Sequence, residues 1–327
     1  MSRLYILGGK QRDLLFRQEE EWTRYEAALL LEVDTDSGAV RTRVQYETPS
    51  EARPEERSSS LFKSGTIFGD KIYACTSTEV LVFGLPGFER LNYVSLPCFN
   101  DLHHVTPAQD GSFLVVSTGL DMVVRVTADG RVLEEWNVLQ EPAWQRFSRD
   151  IDYRKIASTK PHRSHPNFVF ELGDEVWVTR FKQRDAICLT DPRKRIDISV
   201  ESPHDGLAYG NSIYFTVVDG RIVVANAATL AVEAVVDLKL LHDPNAIVDW
   251  CRGVLPVSGG RVWVGFSRIR KTRFEENILW VKRILREGTL AGPTHIALYD
   301  IAGKRRLQEI NLESHGMNVI FSILPAS

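Results

Sequence analysis

The 327-residue chain has no run approaching the ~20 apolar residues of a membrane helix. It has no excess of charge of either sign: 40 Lys and Arg stand against 43 Asp and Glu. Without a basic surplus to neutralise phosphates, no nucleic-acid partner is expected. Cysteine is scarce, and Cys75, Cys98, Cys188 and Cys251 lie far apart. That spacing excludes a zinc knuckle and a disulfide framework, and predicts reduced thiols in a cytoplasmic protein. The opening MSRLYILGGKQRDLLF lacks a basic segment followed by a long apolar one, so no secretory leader and no membrane partner are expected. GxSxG, Walker A and HExxH are all missing, which removes serine hydrolase, P-loop and zincin chemistry.

What is present is a repeated strand. KIYACTS, SFLVVST, EVWVTRF, SIYFTVV and RVWVGFS are each rich in Val, Ile and aromatics. Each follows a turn signal: GD before 71, DG before 112, GD before 175, GN before 212 and GG before 261. β-branched and aromatic residues suit a pleated surface, and Gly, Asp and Asn supply the turn conformations. The unit recurs at a spacing of about 40 residues with four strands in each copy, the signature of propeller blades. Five blades are expected at about 59–95, 101–138, 163–200, 202–238 and 249–312.

The termini supply the sixth. RLYILGG, AALLLEVDTDSG and AVRTRVQYET give three strands, and HGMNVIFSILPAS gives one more. Joining them in one sheet closes the ring and removes exposed edges. The expectation is an all-β, six-bladed β-propeller forming a single domain over 1–327. Two segments break the period, 139–162 and 268–293. In the second, Phe274, Ile278, Val281 and Leu285 have helical spacing, which predicts a short amphipathic helix. Long insertions of this kind serve as lids, so at least one is expected beside the functional mouth.

Histidines gather at the starts of the innermost strands. DLHHVTP, SHPNFVF, PHDGLAY and SHGMNVIF each carry one or two, and CRGVLPV carries an arginine. His103 or His104, His165, His204, Arg252 and His315 are therefore expected to converge on one mouth of the channel. Adjacent strand residues face opposite ways, so only one of His103 and His104 can face the axis. Convergent neutral imidazoles suit a divalent transition metal, Zn, Mn or Fe. The expected ligands are His103, His165 and His204, with His315 or a water beside them. Arg252 and His315 are the candidate catalytic groups, one for holding charge and one for moving a proton. Asn167, Trp144 and His104 are candidate substrate contacts. His162, His242 and His295 are read as structural.

These openings, in order and spacing, resemble an uncharacterised family of bacterial six-bladed propellers, related more loosely to the NHL and gluconolactonase groups. The resemblance runs over roughly 100–327, through DLHHVTPAQDGSFLVVSTGLDMVVRV, SHPNFVFELGDEVWVTR, SPHDGLAYGNSIYFTV and CRGVLPVSGGRVWVGFSRIRKTRF to IALYDIAGK and IFSILP. It implies His103, rather than His104, at the channel. Gluconolactonase-type propellers hold their metal with carboxylate and Asn, whereas this chain offers histidines. The function expected is a metal-dependent lyase or hydrolase for a small anionic or sugar-like substrate. Alternatives are a four-His iron oxygenase using His103, His165, His204 and His315, and a non-catalytic propeller that binds a ligand or protein at the same mouth.

Overall fold

A computed structural model describes residues 2–12, 21–55, 58–242, 250–268 and 292–326. They form six four-stranded sheets, a six-bladed β-propeller. The first three strands are Arg3–Gln11, Tyr25–Asp34 and Val40–Tyr46 (β1–β3). Blade two follows with Thr66–Phe68, Lys71–Cys75, Val80–Gly84 and Arg90–Val94 (β4–β7). Blade three is Leu102–Pro107, Phe113–Ser117, Met122–Val126 and Val132–Asn137 (β8–β11). Blade four is Pro166–Leu172, Glu175–Arg180, Asp185–Cys188 and Arg195–Asp197 (β12–β15). Blade five is Leu207–Tyr209, Ser212–Val217, Arg221–Asn226 and Val232–Asp237 (β16–β19). Blade six is Trp250–Val257, Arg261–Ser267, His295–Asp300 and Arg305–Asn311 (β20–β23). The last strand, Val319–Pro325 (β24), pairs antiparallel with β1 and completes blade one in the order β24-β1-β2-β3. The closure expected from the sequence is therefore present.

The pattern of burial follows from stacking blades around a ring. A second strand such as β9 is covered on both faces and reads FLVVS, buried throughout. Its alternate residues serve opposite seams. Phe113 and Val115 pack towards blade two with Tyr73 and Val82, while Leu114 and Val116 pack towards blade four with Val176 and Val178. The fourth strand lies at the rim, so β11 reads VLEEWN and is largely exposed at its start. The core is thus a set of seams between neighbouring blades.

The inner strands β4, β8, β12, β16, β20 and β24 touch one another in that order, and β24 returns to β4. Four of them carry a β-bulge, and the extra residue is His103 in β8, Asn167 in β12, Gly253 in β20 and Phe321 in β24. A regular pleat aims side chains at the neighbouring blades. A bulge re-aims one of them, which is how a strand edge delivers a side chain to the axis.

Among the described residues the longest α-helix is the single turn Glu21–Arg24, and none could cross a membrane. The helix expected around Phe274, Ile278, Val281 and Leu285 lies outside the described residues.

Candidate metal and ligand site at the axial mouth

The imidazoles of blades three to five meet at the axis. His103 lies edge-on to His165 with ring centroids 4.8 Å apart, and 5.9 Å from His204. Phe321 closes the group, 6.2 Å from His103 and 6.0 Å from His204. Arg252 lies over the Phe321 and Trp250 rings at 4.5 and 4.8 Å, and Lys63 lies over Phe321 from 4.9 Å. His103, His165, His204 and Arg252 are thus gathered in one part of the ring.

The groups whose ligand atoms converge are a different set. Among the described residues, Asp101, His162 and His165 form the set of three in which those atoms all lie within 4.8 Å of one another. His162 stacks on His165 at 5.0 Å, with their Nδ1 atoms 2.8 Å apart. Asp101 accepts from Lys63 Nζ at 3.1 Å. His103 turns its own Nδ1 to the Asp101 carbonyl oxygen at 2.8 Å. His165 thus stays in the expected ligand set, while His103 and His204 fall outside the converging one. His162, read as structural, and Asp101 enter it. The His-x-x-His spacing of 162 and 165 was the signal that could have found His162.

The local backbone explains the convergence. Asp101 and His165 both sit in the left-handed region, at φ 48 and 60°. Non-glycine residues rarely adopt it, and such strain gathers where side chains are held for a task. The segment 153–165 is tied down along its length. Asn100 Nδ2 donates to the carbonyls of Tyr153 and Ile156, both at 2.8 Å, and Lys182 Nζ donates to that of His162 at 2.6 Å.

Burial controls the electrostatics. The His165 imidazolium is disfavoured first by loss of solvent, then by His103 and His162, so its pKa falls well below the ordinary value. His204 is lowered well below its usual value by burial and then by the Arg252 charge. Both His204 ring nitrogens are buried without a hydrogen-bond partner among the described residues, an unusual state for a buried polar group. The adjacent Asp205 is pushed up to about 6 by burial, against the Thr216 hydroxyl and the Gly253 N–H that donate to it. Gly253 has φ 78°, and it is the bulged residue of β20.

A pocket of about 60 Å³ adjoins the cluster. It has room for about four water-sized groups. Asp101 and His162 form part of its wall, with Lys63, Lys160 and Arg53 supplying positive charge and Ser58, Ser59, Ser158 and Thr159 hydroxyls. Residues 156–160 of the first insertion line it, so that insertion borders the mouth as expected.

Three expected site residues, His315, His104 and Trp144, are placed elsewhere. His315 is exposed, in the 3₁₀ turn Glu313–His315 that precedes β24. The four-His set of the oxygenase alternative is therefore not assembled. His104 is stacked on Phe168 at 3.6 Å, with Nδ1 accepting from Val169 N–H at 3.3 Å and Nε2 3.2 Å from the Thr66 hydroxyl. It joins blades two, three and four. Trp144 donates to Glu135 at 3.0 Å, lies under Arg149, and packs on the core of blade three. Asn167 is fully buried and donates to the Pro203 carbonyl at 2.9 Å, and its Oδ1 has no partner among the described residues.

No protein-family model matches the chain, and no curated protein matches it in sequence. Solved structures match in fold. A protein of unknown function from Bacteroides caccae is 12% identical over 99% of each chain, with a TM-score of 0.61. A chain of the nidogen/laminin complex is 9% identical, over 98% of this chain and 97% of that one, with a TM-score of 0.57. A streptogramin B lyase structure is 12% identical, over 98% and 91%, with a TM-score of 0.50. At these identities the likeness is one of fold.

Proposed function

We propose that the axial mouth is the active site of a metal-dependent lyase or hydrolase acting on a small anionic, hydroxyl-bearing substrate. The observation that carries this reading is the convergence of Asp101, His162 and His165, the first two of them in the wall of a cationic pocket. Two imidazoles and a carboxylate are a donor set for Zn or Mn, and three protein ligands leave a position for water or substrate. A divalent ion held there would act as a Lewis acid towards a substrate oxygen. Lys63, Lys160 and Arg53 would attract and orient an anionic group, and the serine and threonine hydroxyls would meet substrate hydroxyls. His204, kept neutral by burial and the Arg252 charge, would offer a buried imidazole as a hydrogen-bond partner at the axis. One of the fold relatives is a streptogramin B lyase, so this ring architecture is compatible with such chemistry.

Equilibrium dialysis with Zn²⁺ and Mn²⁺, read by elemental analysis, tests the reading. About one ion per chain is expected, with the ion lost in His162→Ala and in Asp101→Ala. A wild-type chain that takes up no ion at micromolar concentration, or full occupancy in both variants, would overturn it.

A further inference from the structure

We propose that Asp121 is the positioning residue of this site, a single carboxylate that fixes where both imidazoles of the donor set stand. The inference rests on the reading above. Asp121 is 1% exposed and follows the turn Thr118–Leu120 of blade three, at φ 52°. Its carboxylate accepts three successive backbone N–H groups of the facing segment. Arg163 N–H donates to Oδ2 at 2.8 Å, while Ser164 and His165 N–H donate to Oδ1 at 3.0 and 2.9 Å. Arg146, from the first insertion, donates to Oδ2 at 2.8 Å.

Consecutive amides gathered on one anion form a nest, and hydrogen bonds to a carboxylate are stronger than neutral ones. That anchor holds His165 in its left-handed conformation and leaves its ring against His162. These bonds reach the segment through its backbone N–H groups, so Asp121 acts through the backbone between the two rings. Arg146 ties the same carboxylate to the insertion whose later residues line the pocket. Ligand placement and pocket wall therefore share one anchor.

Co²⁺ titration followed by visible absorption, together with ¹⁵N-histidine NMR of the metal-free protein, tests the role. Wild type is expected to bind one Co²⁺ and to show a hydrogen-bonded His162–His165 pair. Asp121→Asn keeps the shape but loses Oδ2, so Co²⁺ affinity should fall about 10–100-fold, the usual range for groups that orient ligands. The His162–His165 signal should disappear while the His104 signals stay in place. A folded Asp121→Asn protein with affinity within about threefold of wild type and an intact pair signal overturns the proposal. If wild type takes no Co²⁺, the metal reading falls, and the pair signal alone decides whether Asp121 positions the rings. If Asp121→Asn does not fold, Arg146→Met carries the test through the same two readouts. Unchanged affinity and pair signal in that variant overturn the proposal.

Discussion

Residues 103 and 104 are both histidine and both 1% exposed, yet they belong to two different regions of the molecule. His104 stands in the seams. Both ring nitrogens have partners, one face is covered by Phe168, and burial lowers its pKa to about 3. His103 stands at the axis, the bulged residue of the same strand, facing His165 and His204. His104 thus has a partner for each ring nitrogen, the usual state of a buried polar group. At the axis His204 and the Asn167 oxygen are left unmatched, two residues are held at positive φ, and like groups crowd together. The seam is built to hold the ring; the axis is built at its expense.

Substitutions in the two regions should therefore separate stability from binding. The largest loss of stability is expected for His104→Ala, about 3 kcal/mol, since it empties a stacked site and leaves the Val169 N–H without its acceptor. Urea unfolding measures it, and metal affinity of the folded fraction should not change. Equal losses of binding and stability would erase the distinction between the regions.

A pH series sharpens it. The folded-state pKa of Asp205 is raised to about 6, above the ordinary carboxylate value. The folded chain then binds a proton that the unfolded chain has released, so this group favours folding at low pH and loses that contribution as pH rises from about 4 to 6. His104 has the opposite sign. Its folded-state pKa is depressed to about 3, so its contribution is lost as pH falls from about 6.5. Asp205→Asn removes the first term and leaves the second. Relative to wild type, the variant should lose about 3 kcal/mol more between pH 7.5 and 4, the equivalent of two pKa units. Unfolding curves that change in parallel would contradict this.

Smaller effects on folding are expected from the proposed ligand group, Asp101, His162 and His165. His165→Asn should lower metal affinity by about 100-fold. It should cost no more than ~1 kcal/mol of stability, because Asn tolerates the left-handed backbone. The smallest effect is expected for His315→Ala, within about 0.5 kcal/mol and with binding unchanged, as for exposed residues generally. A loss of metal in that variant would return His315 to the site.

The ring was legible because turns and apolar strands recur at a fixed spacing, and the closure was legible because IFSILP had no partner strand in its own neighbourhood. The axis was harder to read, since its side chains are chosen by bulges, which have no sequence period. His103 is the bulged residue itself, whereas His165 precedes its bulge by two positions, Arg252 by one and His315 by six. Openings that look alike are therefore not one structural position. In blade one the axial place falls to Phe321, and His315 is left on the surface. His162 lay outside any strand pattern, and the segment that carries it and His165 is held by Asn100, Lys182 and the nest on Asp121, contacts that leave no mark in a strand period.

Phe321 has one more consequence. With His103 and His204 beside it, and each of the three 1% exposed, the ring is plugged at this level by side chains. On the proposed reading, a molecule bound beside Lys160 would meet these three side chains at the axis and not a through-route, so entry and exit would fall on the same side of the ring.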